Sequence, residues 1–325
     1  NYSQSKGLNS ASISLRDGGV LPWQNYPGIT GLTADINWHK DNIKVALDSH
    51  NVTLYPQNGY ESALFFDSIS GAFDFKQSEK QWQFQSQALR LWNDDLSIEL
   101  DGSINQGHDE KIRNDLLIKL DDVMINQWKK YLPKDILHSN FKAWSANAFV
   151  DGKITHGEIK LKGDLAAFPY QSPADKQQGS FDLNLRVEGM QLHYASEWPD
   201  IVNVNGTIIG SGNDLVIKSQ QGTIAGFSFL NVDTRIDKLT EDEPILTLDG
   251  KLKGTTAQAV ELLKTSPLRH RFGGVASLIT AQGGSDINLH LMVPLSHANE
   301  TEVKGDVSFI NSTLFKTSFP QAPIS

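Results

Sequence analysis

The side chains that could act as nucleophiles, acid–base catalysts or metal ligands are scattered along this sequence. The chain has no cysteine, which excludes thiol catalysis, disulfides and cysteine-ligated metals. No pair among the nine histidines has the i, i+4 helical spacing with an intervening glutamate that a zinc protease uses. We therefore interpret the histidines as surface or capping residues and predict no metal site: His39, His50, His108, His138, His156, His193, His270, His290 and His297.

Two further patterns match catalytic arrangements only formally. Ser3-Gln4-Ser5-Lys6 fits S-x-x-K, but that motif acts on a helix that stacks serine over lysine, whereas here it lies in a polar terminus. Acidic residues are adjacent in Asp94-Asp95, Asp121-Asp122 and Glu241-Asp242-Glu243, and adjacent residues point to opposite faces of a strand. We interpret Asp121-Asp122 as a helix N-cap and the others as turns, with calcium binding at a loop left open. No phosphate-binding glycine loop or nucleophile elbow is present, so we predict a protein that is not an enzyme and uses no cofactor.

The seven tryptophans allow two interpretations. In Gln81-Trp82-Gln83 the amides could hydrogen-bond a sugar stacked on the indole, as in a lectin. Alternatively, Trp82 and Phe84 are inward-facing residues of one strand that line a core or a groove. We favour the second interpretation and keep carbohydrate binding as an alternative.

The elements that position these residues follow from a period-two alternation of apolar and polar residues. About sixteen such runs recur every 8 to 15 residues or so, which is typical of half-buried strands in an antiparallel meander. The chain is therefore predicted to be mostly β, an elongated, curved antiparallel sheet with one apolar face. We predict that the following side chains line that face: Trp82, Phe84, Leu96, Ile98, Leu100, Phe181, Leu183, Leu185, Val187, Leu215, Ile217, Phe227, Phe229, Leu246, Leu248, Ile287, Leu289, Leu291 and Val293.

Helical periodicity is limited to two short segments. One covers about 123–149 and is interrupted by Pro133, and the other covers about 256–264 and ends at Ser266-Pro267. At 1.5 Å per residue, each can cover about three or four strands, so much of the apolar face must meet another sheet, close on itself or hold an apolar ligand. We expect three parts, 1–122 (β), 123–150 (helical insertion) and 151–325 (β with the second helix), which can also form one continuous domain.

Turn signals divide the strands. Four dipeptides are candidates for hairpin or bulge turns: Asn58-Gly59, Asp101-Gly102, Asp151-Gly152 and Asp249-Gly250. The polar stretch 169–178 is the best candidate for a linker or a domain boundary.

Composition and charge exclude further classes. The 325 residues are 39% hydrophobic and carry a net charge of −9, which is unsuited to a surface that binds nucleic acid or an anionic membrane unless basic residues cluster locally. The densest basic run, Arg269-His270-Arg271, is only three residues long. Since no apolar run reaches the 18 or so residues of a membrane span, any membrane anchor would lie outside this sequence.

A series of aromatic, proline and glycine residues resembles the large AsmA-like family of the YhdP type, which occurs in Gram-negative bacteria. Its landmarks are Tyr131-Leu132-Pro133, Trp198-Pro199 and Ser266-Pro267-Leu268, and the similarity covers roughly residues 20 to 320. This resemblance implies a strand-built hydrophobic groove in the periplasm, tethered to the inner membrane by an N-terminal helix absent from this sequence. It further implies a role in moving phospholipid toward the outer membrane, with phospholipid or another acyl-chain lipid as ligand and envelope proteins as partners at the ends of the full-length chain. The family has no catalytic residues to carry over.

Two other hypotheses stay open from the sequence. The sheets could pack as closed sandwiches and serve as a structural or interaction module of the cell envelope. The tryptophans could instead serve a lectin-like protein.

Overall fold

In the computed structural model, the described residues are 2–3, 7–24, 26–56, 60, 62–132, 145, 147–194, 196–239, 241–297 and 300–316. Strands dominate, as the alternation predicts. Their bounds are β1 Tyr2–Ser3, β2 Gly7–Leu8, β3 Ser10–Val20, β4 Gly28–His39, β5 Asn42–Tyr55, β6 Leu64–Ser78, β7 Gln81–Asn93, β8 Leu96–Gln106, β9 Ile112–Asp121, β10 Val123–Met124, β11 Phe149–Asp164, β12 Gly179–Leu192, β13 Ile201–Ser211, β14 Asp214–Ile224, β15 Phe227–Asp237, β16 Ile245–Thr255, β17 Ile279–Pro294 and β18 Glu302–Lys316.

The strands β3 to β18 form one 16-stranded sheet in which nearly every strand lies beside its neighbours in sequence. β10 pairs only with β11, and β1 pairs with β2 in a separate two-stranded sheet. Since the path ends at β3 and at β18, the sheet is not closed. The prediction of a mostly β, antiparallel, open architecture is confirmed.

Many of the long strands are interrupted near their middle by bulges. Pairing slips between Ser86 and Leu89 on β7, and between Phe229 and Asp233 on β15, where Ala88 and Asn231 adopt positive φ. A bulge leaves one residue unpaired and bends the strand, so each interrupted strand forms two segments at an angle.

The aspartate–glycine dipeptides lie inside strands, so the hairpin alternative was wrong, whereas Asp101-Gly102 and Asp249-Gly250 lie where the pairing slips, as the bulge alternative predicts. Asp101-Gly102, Asp151-Gly152 and Asp249-Gly250 fall within β8, β11 and β16 respectively. The reason is steric: a Cβ on Gly250 would lie 2.7 Å from Cγ2 of Val232 on the neighbouring strand. Asn58-Gly59 lies outside the described residues.

The helices agree with the sequence in part. The predicted helix α1, Thr256–Thr265, is present. It begins with a capping box in which the Thr255 hydroxyl accepts a hydrogen bond from the backbone N–H of Gln258. A further helix, α2 (Arg269–Ala276), was not predicted. Within the segment 123–149, a 3₁₀ helix spans Ile125–Tyr131, and most residues between Leu132 and Phe149 lie outside the described part of the chain.

The predicted N-cap of that segment was wrong. The residue that caps the 3₁₀ helix is Met124, whose side chain makes no capping hydrogen bond. Asp121 instead lies 2.9 Å from Nδ1 of His156, and Asp122 lies 2.7 Å from Nζ of Lys153, because β11 runs beside this corner.

The chain divides into two compact units. Unit 1 comprises the described residues of Asn1–Leu137, Lys153–Arg186 and Ile208–Asn213, and unit 2 comprises those of His138–Gly152, Val187–Thr207 and Asp214–Ser325. The boundaries proposed from sequence, at 122 and 150, stay a prediction.

Candidate functional site

An enclosed apolar space lies in unit 2, between the inner faces of its strands. It is a cavity of about 40 Å³. No charged side chain lines it, and its polar groups are limited to Ser219, Thr234 and the hydroxyl of Tyr194. The lining is Met190, Leu192, Tyr194, Ile201, Val204, Ile217, Ser219, Ile224, Phe229, Val232, Thr234, Leu246, Leu248, Leu252, Leu289 and Leu291.

Strand alternation explains why this surface is apolar. On β16 and β17, Leu248 is paired with Leu291 in register, and both side chains point inward. The next pair along, Asp249 and His290, points outward and forms a 2.7 Å contact between Oδ1 and Nδ1. The same two strands therefore present a dry face to the cavity and a polar face to water.

The loop between β12 and β13 borders the cavity and connects it to the helices. Its Tyr194 lines the cavity and lies 6.3 Å, centroid to centroid, from the buried ring of Trp198. Burial raises the pKa of the Tyr194 hydroxyl, so the group is neutral at physiological pH. On the same loop, Oε1 of Glu197 accepts a 2.6 Å hydrogen bond from Arg269 at the start of α2. The helix is thereby held to the loop that borders the cavity.

A carboxylate fixes the far end of this loop. Burial alone would raise the pKa of Asp200, but hydrogen bonds from His193 and Gln191 outweigh it and lower the pKa. The distances are 2.7 Å to Nδ1 of His193 and 2.7 Å from Nε2 of Gln191. Asp200 is therefore ionised near neutral pH and serves as a structural hydrogen-bond acceptor.

In unit 1, one half of the inner face is apolar but only half-buried. Phe73 and Phe84 lie 5.1 Å apart between ring centroids, and Phe75 stacks on Trp82 at 6.4 Å. None of these four rings is fully buried. The Trp82 indole N–H donates to Gln106 at 2.8 Å, which satisfies its one polar group. This aromatic strip is the more accessible apolar surface of the unit.

The other half of the unit 1 face is a packed core. Val52, Phe66 and Leu96 are among its buried members, and Tyr131 from the 3₁₀ helix packs against them. The Tyr131 hydroxyl donates to Asp95 at 2.7 Å and accepts from Asn93 at 2.8 Å.

A charged pair anchors the same helix. Burial would raise the pKa of Asp95, but hydrogen bonds from Lys130 and Tyr131 lower it. The 3₁₀ helix is therefore tied to the β7–β8 turn by an ion pair with Lys130 as well as by the tyrosine.

None of the nineteen predicted lining residues is exposed, and the structure divides them into two groups. Eleven are buried: Leu96, Leu185, Val187, Ile217, Phe227, Phe229, Leu246, Leu248, Ile287, Leu291 and Val293. The others are half-buried: Trp82, Phe84, Ile98, Leu100, Phe181, Leu183, Leu215 and Leu289. Those that reach the unit 2 cavity are Ile217, Phe229, Leu246, Leu248, Leu289 and Leu291. Whether any of the nineteen contacts a lipid stays a prediction.

Sequence reasoning missed part of the lining. Met190 and Leu192 alternate in the opposite phase to Leu185 and Val187, because the phase changes at Gly189, which has φ +61°. Tyr194 lies in a loop, where alternation gives no signal.

The residues considered for catalysis are not brought together. Over the described part of the chain, no three histidine or acidic side chains lie close enough to hold a metal ion. His156, His193 and His290 each contact a single aspartate. Asp95 is part of the helix anchor, and Lys6 lies outside the described residues.

No helix in the described ranges combines the length and the apolar content that crossing a bilayer requires. Comparison with known proteins gives two findings. The family model described as "YhdP protein" matches residues 2–323. The intermembrane phospholipid transporter YhdP of Escherichia coli (strain K12) is 20% identical over 186 residues, which are 57% of this chain and 14% of that protein. No solved structure matches the chain.

Proposed function

Because this chain belongs to the YhdP protein family, we propose that it holds the acyl chains of phospholipid against the inner faces of its strands. The observation that carries the proposal is the unit 2 cavity, which is enclosed by strands and has no charged side chain in its lining. An acyl chain offers no polar group along its length, so only a surface of this kind can hold it without leaving a buried polar group unpaired. The transporter that this chain resembles acts on phospholipid by name, which supports the same ligand class.

The energetics favour binding without specific polar contacts. Each CH₂ group moved from water onto an apolar surface contributes about 0.8 kcal/mol. A cavity of about 40 Å³ is far smaller than a typical ligand site of roughly 300 Å³ or more. The inner faces must therefore separate to admit a chain, and the packing lost on separation opposes binding. The half-buried aromatic strip of unit 1 needs less separation.

Movement along the protein follows from the repetition of the strands. Each strand contributes a similar apolar strip, so an acyl chain that leaves one strip gains the next, and the barrier between positions stays small. In this proposal the apolar faces form a groove along which lipid slides toward the outer membrane.

The cellular setting belongs to the same proposal. The chain spans about 14% of the length of its curated relative, so the whole protein's transport activity is inferred and not observed for this segment. We infer a periplasmic segment of a protein tethered to the inner membrane, with envelope proteins as partners at the ends of the full-length protein.

Site-specific photocrosslinking tests the proposal. p-Benzoylphenylalanine replaces Phe229, which lines the cavity, or Leu230, the next residue, whose side chain is 68% exposed on the opposite face. After irradiation in cells and purification, mass spectrometry should find phospholipid attached at 229 and not at 230. A second pair places the probe at Phe84 on the aromatic strip and at Gln83 beside it.

The outcomes separate this proposal from its main alternative. Equal labelling at inward and outward positions would indicate non-specific lipid contact. If the well-folded protein shows no lipid adduct at either inward position, the faces are closed cores, and the chain is a structural module of the cell envelope.

A further inference from the structure

The chain segments next to the two ends of strand β16 in unit 2 differ in charge. At its start, the loop 238–244 contributes Glu241, Asp242 and Glu243. At its end, residues 262–285 contain Lys264, Arg269 and Arg271 but no aspartate or glutamate. This stretch includes the whole of α2. Lys264 is paired with Glu261 and Arg269 with Glu197, so Arg271 is the exposed cation that α2 presents.

The exposed side of α2 combines this charge with apolar side chains. Phe272 and Val275 are 41% and 64% exposed, and Leu278 just beyond the helix is 38% exposed. Their spacing of three residues places them along one side of the helix, and the buried Ala276 lies on the adjoining face. Arg271 is exposed too, and its guanidinium carbon lies 5.5 Å from the centroid of the Phe272 ring. We call Arg271, Phe272, Val275 and Leu278 the α2 patch.

Packing alone does not account for the α2 patch. The helix is already held in place by the ion pair between Arg269 and Glu197 and by the burial of Ala276. Phe272, Val275 and Leu278 nevertheless leave between 38% and 64% of their surface in water beside a cation, and neighbouring exposed apolar groups mark interaction sites. Apolar groups flanked by arginine are the pattern of helices that lie in a bilayer interface, where the apolar groups enter the acyl boundary and the cations meet phosphate.

We propose that the α2 patch docks on the surface of a bilayer that contains anionic phospholipid. Arg271 meets the negative headgroup layer, and Phe272, Val275 and Leu278 enter the boundary below it. Charge complementarity fixes the orientation, because the acidic loop at the other end of β16 is repelled by the same surface. Docking of this kind is separate from acyl-chain binding on the inner faces, so each can fail without the other.

Vesicle co-sedimentation of the 325-residue chain tests the proposal. Wild-type protein should bind vesicles of phosphatidylglycerol and phosphatidylcholine (1:3), bind pure phosphatidylcholine much more weakly, and lose binding as salt screens the charges. The double variant Arg271→Glu/Val275→Ser should lower the partition coefficient at least about tenfold, since it reverses one charge and removes one apolar anchor.

A matched control carries the same changes elsewhere on unit 2. Lys251→Glu/Leu230→Ser alters one exposed lysine and one exposed apolar residue away from α2, and should bind within about twofold of wild type. Circular dichroism confirms that both variants fold. The proposal is overturned if the wild type does not bind anionic vesicles, if it binds neutral vesicles equally well, or if the two double variants lose binding to the same extent. In that last case the long-range charge of the protein, and not the α2 patch, governs binding.

Discussion

Leu291→Ala tests whether the inner face of unit 2 is a tightly packed apolar layer. Leu291 is fully buried, lines the cavity and is paired with Leu248 on one side and Val303 on the other. The substitution removes three carbon groups, which at about 0.8 kcal/mol each amounts to about 2.4 kcal/mol of lost burial. If roughly 50 Å³ of the vacated space stays empty, a cavity term of about 24 cal/mol per Å³ adds about 1.2 kcal/mol. We expect a total loss of about 3.6 kcal/mol.

The assay is urea unfolding followed by far-ultraviolet circular dichroism, together with hydrogen exchange on peptides from β16 and β17. Exchange reports the local free energy of opening, which matters because two units need not unfold together. Leu230→Ala, at a 68% exposed position on the outer face of β15, is the control and should cost less than about 0.5 kcal/mol. A loss below about 1 kcal/mol at Leu291, or an equal loss at both positions, would refute this packing.

Three further predictions concern the framework. Asp95→Asn should make stability fall less steeply at acid pH. The pKa of Asp95 is lowered in the folded protein, so its carboxylate stabilises the fold above about pH 4, and this contribution is lost as the pH falls through the folded pKa. Urea unfolding midpoints measured from about pH 2 to 7 for wild type and variant test this. Tyr131→Phe removes hydrogen bonds to two half-buried or buried groups and should cost about 1–3 kcal/mol in the same assay; no change would mean that the 3₁₀ helix is not anchored there. Gly102→Ala forces a non-glycine residue into φ +123° and should cost about 1–3 kcal/mol, whereas Gly274→Ala in α2, where a Cβ meets open space, should be neutral or stabilise by up to about 1 kcal/mol in thermal melts.

The strands and their inward faces are predictable from sequence because both depend on local alternation. Ile287, Leu289 and Leu291 alternate with polar residues, and the structure places them on the inner face of β17. The open antiparallel order follows from the short spacing between runs. The extent to which each inward side chain is buried cannot be predicted from the sequence. The alternation is the same for a residue in a packed core, such as Phe66, and for one on an accessible strip, such as Phe75.

Features that depend on distant neighbours escaped prediction. Asp249-Gly250 has the composition of a turn, but the glycine is required by Val232 on the adjacent strand. The α2 segment contains Gly273 and Gly274, which lower helix propensity, although the helix is held by an ion pair to a residue 72 positions away, Glu197. The change of phase at Gly189, which has a positive φ, hides the lining residues Met190 and Leu192 beyond it.

The central claim, that the inner faces hold acyl chains, is tested most directly by mass spectrometry of lipid bound to the purified chain. The protein is purified without detergent, extracted with organic solvent and compared with the Leu291→Asp variant, whose buried charge makes the cavity unfit for an acyl chain. We expect phospholipid to co-purify with the wild-type protein and to be clearly reduced in the variant. Circular dichroism checks that the variant is folded. If it is not, Ser219→Leu, which fills the cavity with an apolar group, is used instead. Phospholipid absent from the folded wild-type protein, or retained in full by both variants, would contradict the claim.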